Sequence, residues 1–160
     1  MLHLSLTQID LGMRAALKEA ALASARGEVP VGAALMSPLM SEGSEIIATA
    51  GNRVEELNDA TAHAELLVIR AASAGLRGWR LDQHALFVTL EPCTMCIGAI
   101  RNSRIGAIVF GAYDPRAGAV GSLYDISLDE RLGVVPRVIS GISAVECAEL
   151  LKNFFAQRRS

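Results

Sequence analysis

The chain has 160 residues, of which 51% are hydrophobic and only 4% aromatic, and its formal net charge is −2. This length predicts one domain spanning residues 1–160 with an aliphatic core, and part of the apolar surplus is expected in a subunit interface. The charge argues against a surface coated in positive charge for nucleic acid. No run of 18 or more uncharged apolar residues and no secretory signal is visible, so no membrane span is expected. Three cysteines are typical of a reduced, intracellular protein, which predicts a cytoplasmic location.

The first predicted element is an amphipathic helix over residues 7–26. Thr7 and Asp10 have the spacing of a capping box at its start, and Gly27 ends it. Short apolar runs then predict strands at residues 31–36, 45–50, 85–90, 104–110 and 137–140. The first two strands flank a long hairpin turn at residues 37–44, and residues 51–59 are expected to be a polar loop.

The second half of the chain alternates strands and helices. The run at 85–90 is continuously apolar, which is typical of a central strand buried on both faces. A helix that ends near Asn102 follows it, so strand, helix and strand form a right-handed crossover with parallel pairing. Residues 111–121 are rich in glycine and predict a loop at the end of a central strand, where α/β folds place ligand-contacting loops. A last helix is expected from Ser143 to about Arg158.

Two motifs carry candidate chemistry. His63, Ala64 and Glu65 read H-x-E, and residues 92–96 read P-C-x-x-C. This combination is the signature of zinc-dependent nucleobase deaminases. His63, Cys93 and Cys96 supply three zinc ligands and leave a fourth position open, as catalytic zinc sites do. Zinc makes hydroxide available near neutral pH, and Glu65 is the predicted proton shuttle.

The spacing of these residues also predicts geometry. His63 and Glu65 stand two apart, roughly 200° around a helix, so both reach one metal only if the metal lies over the helix N-terminus. Thr61 is the expected N-cap of that helix, which is predicted over residues 62–75. Cys93 and Cys96 share one helical face after Pro92. Two helices are therefore expected to point their N-terminal ends at the metal.

Each motif also has an alternative interpretation. Cys93 and Cys96 could form a dithiol redox pair, or a closed structural zinc site with His84 or Cys147 as fourth ligand. Asn52 could contact a base edge or stabilise a turn. The ending Phe154-Phe155…Arg158-Arg159 could stack bases and bind phosphate, or it could be a core-facing phenylalanine pair with a solvated tail.

Over nearly its whole length the chain closely resembles the bacterial tRNA-specific adenosine deaminases, the TadA family. The matching segments are residues 28–33, 52–53, 61–65, 90–96, 110–112, Asp114 with 118–122, and the Phe154-Phe155…Arg158-Arg159 ending. Two departures stand out: the turn at residues 37–44 is longer than usual in the family, and Ala60 replaces a common proline.

The resemblance implies a cytidine-deaminase-like three-layer α/β/α sandwich with a five-stranded mixed sheet, and a homodimer. It implies deamination of the wobble adenosine to inosine in a tRNA anticodon stem-loop, with one Zn²⁺ per subunit. Asn52 and the Ala64 backbone would then recognise the base, and Asp114 would contact the anticodon loop with Phe155 and Arg158 as neighbours.

Two rival functions remain open. A free-base guanine or cytosine deaminase would share the zinc chemistry but would not need the Asp114 loop or the arginine-ended last helix. A catalytically silent zinc protein acting as an RNA-binding subunit would tolerate the loss of Glu65, yet Glu65 is present.

Overall fold

The structure is a computed structural model, and it describes residues 2–37 and 43–159. The described chain contains five α-helices, five strands and a short 3-10 helix at Glu130–Leu132. In chain order the elements are α1 (Leu6–Ala25), β1 (Gly32–Met36), β2 (Ile46–Gly51), α2 (Val54–Leu57), α3 (Ala64–Leu76), β3 (Ala85–Leu90), α4 (Thr94–Asn102), β4 (Ala107–Ala112), β5 (Arg137–Ile139) and α5 (Ala144–Arg158).

The strands form one mixed sheet in the order β2-β1-β3-β4-β5. β1 runs antiparallel to both β2 and β3, whereas β3, β4 and β5 are parallel. The predicted central strand and the parallel β3–α4–β4 crossover are thereby confirmed. Because β1 runs against β3, its N-terminal end lies at the same edge of the sheet as the carboxyl ends of β2, β3 and β4.

Side chains that alternate along the strands fill two cores, one on each face of the sheet. Leu86 and Val88 of β3 belong to the core beneath α3 and α4. Phe87 of the same strand belongs to the core beneath α1 and α5, together with Met13 and Cys147. The three-layer α/β/α architecture is the one expected from the resemblance.

α1 packs directly on the backbone of β1. A Cβ built on Gly32 would come within 3.0 Å of the backbone oxygen of Ala16 and the backbone nitrogen of Ala20, closer than real Cβ atoms approach. Gly12 meets the ring of Phe87 in the same way. The absence of a side chain at these two glycines therefore sets the spacing between helix and sheet.

Two predicted boundaries were wrong. α1 is capped by Ser5 rather than Thr7, because the Ser5 hydroxyl accepts from the Gln8 amide at 3.1 Å and the Gln8 side chain accepts from the Ser5 amide at 2.8 Å. β4 begins three residues after the predicted start at Arg104, whose φ of 64° places it in a turn.

The loops differ from expectation in two further places. The predicted polar loop at residues 51–59 contains the single-turn helix α2. The glycine-rich loop begins only after Ala112, since β4 continues to that residue. The antiparallel pairing of β1 with β2 agrees with a hairpin, but residues 38–42 of its long turn lie outside the described residues. None of the helices described is long and apolar enough to cross a membrane.

Candidate active site

Three predicted metal ligands lie together at the sheet edge where β3 ends. The Nδ1 atom of His63 is 3.7 Å from the sulfur of Cys93 and 3.5 Å from that of Cys96, and the three donor atoms all lie within 4.8 Å of one another. A tetrahedral zinc ion with Zn–N of about 2.0 Å and Zn–S of about 2.3 Å places nitrogen and sulfur about 3.5 Å apart. Both the donor set and its spacing therefore fit zinc.

Two helix N-termini position these ligands. His63 is the N-cap residue of α3, Cys93 is that of α4, and Cys96 lies in the first turn of α4. The predicted end-on approach of two helices is thus present, and their partial positive charge favours thiolate at this point. The predicted cap at Thr61 was wrong: its amide and hydroxyl donate to the Asp59 carboxylate at 2.8 Å and 2.7 Å.

The two thiols differ in acidity. A hydrogen bond from Cys96 lowers the pKa of Cys93 to about 4 against the opposing effect of burial, and His63 lowers it further. The pKa of Cys96 is raised, since it donates the proton of that bond and is itself buried. The Cys93 hydrogen bond in turn raises the pKa of His63. The lowered pKa of Cys93 favours its thiolate, the form that binds metal.

Glu65 lies next to the cluster in the first turn of α3 and is only 4% exposed. Burial raises the pKa of its carboxyl, although a hydrogen bond with Cys96 and the charge of His63 lower it in part. A carboxyl group with a raised pKa beside a metal centre can accept and return a proton near neutral pH. This is the chemistry predicted for Glu65.

A cavity of about 330 Å³ opens above the cluster, at the lower end of the range for small-molecule sites. The segments that follow β2, β3 and β4 and the one that precedes β1 all reach it, because these strand ends share one edge of the sheet. Its walls are formed by Glu28, Val29, Val31, Asn52, Val54, Glu55, His63, Ala64, Glu65, Leu90, Glu91, Cys93, Asp114 and Ala117.

Three of the predicted substrate-binding residues line this cavity: Asn52, Ala64 and Asp114. Asn52 is 6% exposed, and Ala64 is the first residue of α3. The Asp114 carboxylate accepts from the amides of Arg116 at 3.0 Å and Ala117 at 3.3 Å, so it also stabilises its own loop.

The other two predicted contacts, Phe155 and Arg158, do not line the cavity. Phe155 is 43% exposed, whereas Phe154 is buried. The guanidinium of Arg158 lies 4.3 Å above the Phe154 ring and donates to the carbonyl of Gly27. The core-facing position is therefore realised for Phe154 alone, and a contact of Phe155 and Arg158 with RNA stays a prediction.

Sequence reasoning gave no role to two buried carboxylates in the cavity wall. Glu28 and Glu91 are each 2% exposed. Glu28 accepts from the Asn52 side-chain amide at 3.3 Å and from the backbone amides of Glu55 and Glu56 at 3.3 Å and 2.7 Å. Buried glutamate is rare unless it is paired. A glutamate next to an apolar strand was therefore the feature of the sequence that could have indicated a structural role for Glu28 and Glu91.

The alternative metal sites find no support. Within residues 2–37 and 43–159, the one group of at least three His, Cys, Asp or Glu residues close enough to hold a metal is His63 with Cys93 and Cys96. Cys147 lies in the core beneath α1 and α5, and the Nδ1 atom of His84 contacts the Asp82 carbonyl at 3.0 Å. The cluster therefore keeps the three-ligand composition of a catalytic centre.

Comparison with known proteins agrees with this geometry. Residues 6–112 match the family model for the cytidine and deoxycytidylate deaminase zinc-binding region. The chain is 44% identical over 154 residues to a tRNA-specific adenosine deaminase of Bacillus subtilis (strain 168), an alignment that covers 96% of this chain and 92% of the relative.

Solved structures give the same result. One from biochemical and structural studies of A-to-I editing by tRNA:A34 deaminases at the wobble position of transfer RNA has a TM-score of 0.79 and 46% identity, covering 87% of this chain and 97% of that one. A guanine deaminase from Bacillus subtilis has a TM-score of 0.59 and 29% identity, covering 77% and 88% of the two chains. These matches confirm the resemblance predicted from the motifs.

Proposed function

The chain belongs to the zinc-binding family of cytidine and deoxycytidylate deaminases, and we propose that it converts adenosine to inosine at the wobble position of a tRNA anticodon. It is an enzyme of the hydrolase class whose cofactor is zinc. One observation carries the proposal: an open three-ligand centre with a buried carboxylate beside it lies in a chain 44% identical, over 96% of its length, to a tRNA-specific adenosine deaminase.

The proposed reaction is a hydrolysis. His63, Cys93 and Cys96 hold zinc, which when bound supplies the Lewis acidity that makes hydroxide available near neutral pH. Glu65 accepts one proton of the attacking water and delivers it to the ring nitrogen N1, then accepts the remaining proton of the new C6 hydroxyl group and delivers it to the leaving amine. The bond between C6 and the exocyclic nitrogen breaks, a C6 carbonyl forms, and ammonia leaves.

Other groups of the chain hold the substrate in this proposal. Asn52 and the Ala64 backbone contact the base within the cavity, and Asp114, in the cavity wall, contacts the anticodon loop. Phe155 and Arg158 are neighbours of the RNA on the C-terminal helix. An anticodon loop is already single-stranded, so bringing its base into the cavity requires little unstacking energy.

We also propose that residues 1–160 act as a single domain, that two copies form a homodimer and that the protein works in the cytoplasm. Exposed apolar side chains in the segment between β4 and β5 are available for the dimer contact in this proposal. These side chains are Leu123, Tyr124, Leu128, Leu132 and Val134.

The direct test is inosine formation in a synthetic anticodon stem-loop with adenosine at the wobble position, measured by nucleoside chromatography after digestion. The same stem-loop with guanosine at that position is the matched control. Conversion of the adenosine RNA alone is expected, and its absence would contradict the tRNA function.

Free guanine is assayed in parallel because the guanine deaminase of Bacillus subtilis shares this fold at 29% identity; free cytosine is included as the other free-base rival. Conversion of a free base alone would keep the zinc chemistry and identify a free-base deaminase instead. Conversion of none, with zinc bound, would favour the silent RNA-binding subunit.

A further inference from the structure

The Glu91 carboxylate joins the metal-binding segment to the loop formed by residues 114–122. It lies just beyond the end of β3, two residues before Cys93. Oε1 accepts from the amides of Val120 at 3.1 Å and Ser122 at 2.9 Å. Oε2 accepts from the amide of Asp114 at 2.9 Å and from the Ser122 hydroxyl at 2.5 Å. All four donors belong to the 114–122 loop.

The loop also approaches the metal-binding segment through its backbone. The amide of Ala119 donates to the carbonyl of Pro92 at 2.8 Å, and Gly118 pairs with Cys93 as an isolated antiparallel bridge. The loop therefore lies directly against the backbone that carries a metal ligand.

Gly118 is what permits this approach. A Cβ at that position would lie 2.5 Å from the Asp114 carbonyl oxygen and closer than 3.0 Å to the Glu91 carboxylate. Neither group can give way easily: one is backbone, and the other is buried and held by four hydrogen bonds. The position of the Glu91 carboxylate therefore requires glycine at residue 118.

The same contacts fix the position of Asp114. Its backbone amide donates to Glu91 Oε2, while its carboxylate is oriented by the amides of its own loop. Hydrogen bonds to an ionised acceptor are roughly twice as strong as neutral ones. Asp114 is therefore held at a set place relative to Cys93 by a side chain that belongs to neither.

We propose that Glu91 is a positioning residue of this active site, whose carboxylate holds the 114–122 loop against the segment that carries Cys93 and so sets the place of Asp114 relative to the metal centre. The consequence for RNA affinity rests on the proposed function, because it assumes that Asp114 contacts the anticodon loop. The holding of the loop does not depend on that function.

Glu91→Gln tests the carboxylate with almost no change of size. A glutamine has only one acceptor oxygen. Its amide nitrogen, itself a donor, would face the donors whose hydrogen bonds the second carboxylate oxygen now accepts, so those bonds would be lost. Ser122→Ala removes the hydroxyl donor alone and is the milder change. Gly118→Ala has Gly75→Ala as its matched control, because a Cβ at Gly75 meets nothing within 4 Å.

The first measurement is hydrogen–deuterium exchange on the zinc-loaded protein. Glu91→Gln is expected to speed exchange of the amides of Asp114, Val120 and Ser122 by about tenfold or more, the effect of losing about 1.4 kcal/mol of protection. Ser122→Ala gives a smaller increase in the same peptide, and Gly75→Ala gives none. Zinc content stays at one per chain in every variant.

The second measurement is deamination kinetics on the stem-loop with wobble adenosine. Glu91→Gln and Gly118→Ala are expected to raise KM about tenfold while kcat changes far less, because the loop positions a binding group rather than a reacting one. Unchanged exchange together with unchanged KM in Glu91→Gln would overturn the proposal. So would loss of zinc together with loss of protection, which would mean that Glu91 supports the ligands instead.

Exchange and kinetics together distinguish a failure of the Glu91 proposal from a failure of the proposed tRNA function. If the wild-type protein deaminates no stem-loop, the tRNA function fails, and the exchange data still decide whether Glu91 holds the loop. If Glu91→Gln does not fold, Ser122→Ala decides: unchanged exchange in that variant overturns the proposal, and faster exchange in the 114–122 peptide supports it.

Discussion

The side-chain nitrogen of Asn52 lies 3.3 Å from Oε2 of Glu28, and both residues line the cavity above the metal cluster. The amide therefore donates into the wall of the cavity, which turns its carbonyl oxygen away from Glu28. Glu28 also accepts from the backbone amides of Glu55 and Glu56 in α2. One buried carboxylate thus fixes both a predicted substrate contact and the short helix beside it.

Glu28→Gln is expected to lower kcat/KM on the stem-loop substrate by about tenfold or more. A glutamine at this position places an amide N–H₂ against at least one donor, and a lost hydrogen bond to a charged group weakens stability or binding by about 1.5–3 kcal/mol. Steady-state kinetics measure the effect, with Glu45→Gln as control because Glu45 is an exposed carboxylate just before β2. Equal kcat/KM in both variants would show that Asn52 does not depend on Glu28.

Glu65→Gln, or the more drastic Glu65→Ala, is expected to retain zinc and to lose turnover. The substitution removes the group that moves the proton, and general acid–base catalysis contributes about 10²–10⁴-fold. Single-turnover rates together with metal analysis on the same sample measure both quantities. Turnover within tenfold of the wild type would rule out Glu65 as the proton shuttle.

Cys93→Ala and Cys147→Ala form a matched pair for the metal ligands. Both remove a free thiol, but Cys93 belongs to the cluster and Cys147 to the core beneath α1 and α5. Cys93→Ala is expected to lose most of its zinc, and Cys147→Ala to keep one zinc per chain with a small loss of stability from the cavity it leaves. Full metal occupancy in Cys93→Ala would identify a different ligand.

Metal removal is expected to lower the midpoint of thermal unfolding and to abolish activity, and added zinc should restore both. His63 on α3 and Cys93 on α4 make no side-chain capping hydrogen bond, so a bound zinc ion would supply the side-chain link that these two helix starts lack. A ligand that binds the folded state alone stabilises it in proportion to the logarithm of its concentration over Kd. Calorimetry with and without a chelator makes the comparison, and identical midpoints would mean that the metal plays no part in the fold.

Gly32→Ala is expected to reduce the free energy of unfolding by about 3 kcal/mol, the upper end of the usual range for overpacking. The added methyl group would meet backbone atoms of α1 rather than a side chain that can turn aside. Gly75→Ala is the control, and there the better helix propensity of alanine should add about 0.5–1 kcal/mol. Denaturant titration measures both, and equal stability would mean that α1 shifts freely over the sheet.

The metal centre was predictable because its signal is local. Zinc ligands occur at fixed short spacings on helix starts, so Cys93 and Cys96 could be assigned together and joined to the H-x-E motif. β3 was predicted for a similar reason, because a continuous apolar run marks it in the sequence.

The caps could not be chosen from local pattern alone. Residues 5–8 and 7–10 both have the spacing of a capping box, and what separates them is the side-chain pairing that Ser5 and Gln8 form. At α3 the rules of propensity favour threonine as N-cap, but the fold gives that position to His63. A predicted metal ligand thus occupies the cap position in place of the residue that propensity favours.

The roles of Glu28 and Glu91 were out of reach for a different reason. Their donors lie 23 to 31 residues away along the chain, so no window of sequence contains both partners. They meet only because the sheet brings both segments to one edge, through the antiparallel pair β1 and β2 for Glu28 and the parallel pair β3 and β4 for Glu91.

That shared edge separates the part of the molecule where the cavity restricts changes in chain length from the part where it does not. Every group that lines the cavity lies at one edge, whereas Met36 and Ile46, the paired residues that flank the long β1–β2 turn, lie at the other. Insertions and deletions between Ser37 and Gly43 can therefore accumulate without moving a catalytic atom. The β1–β2 turn is therefore the place to insert a partner domain by design. It is also the place where natural changes in chain length are expected.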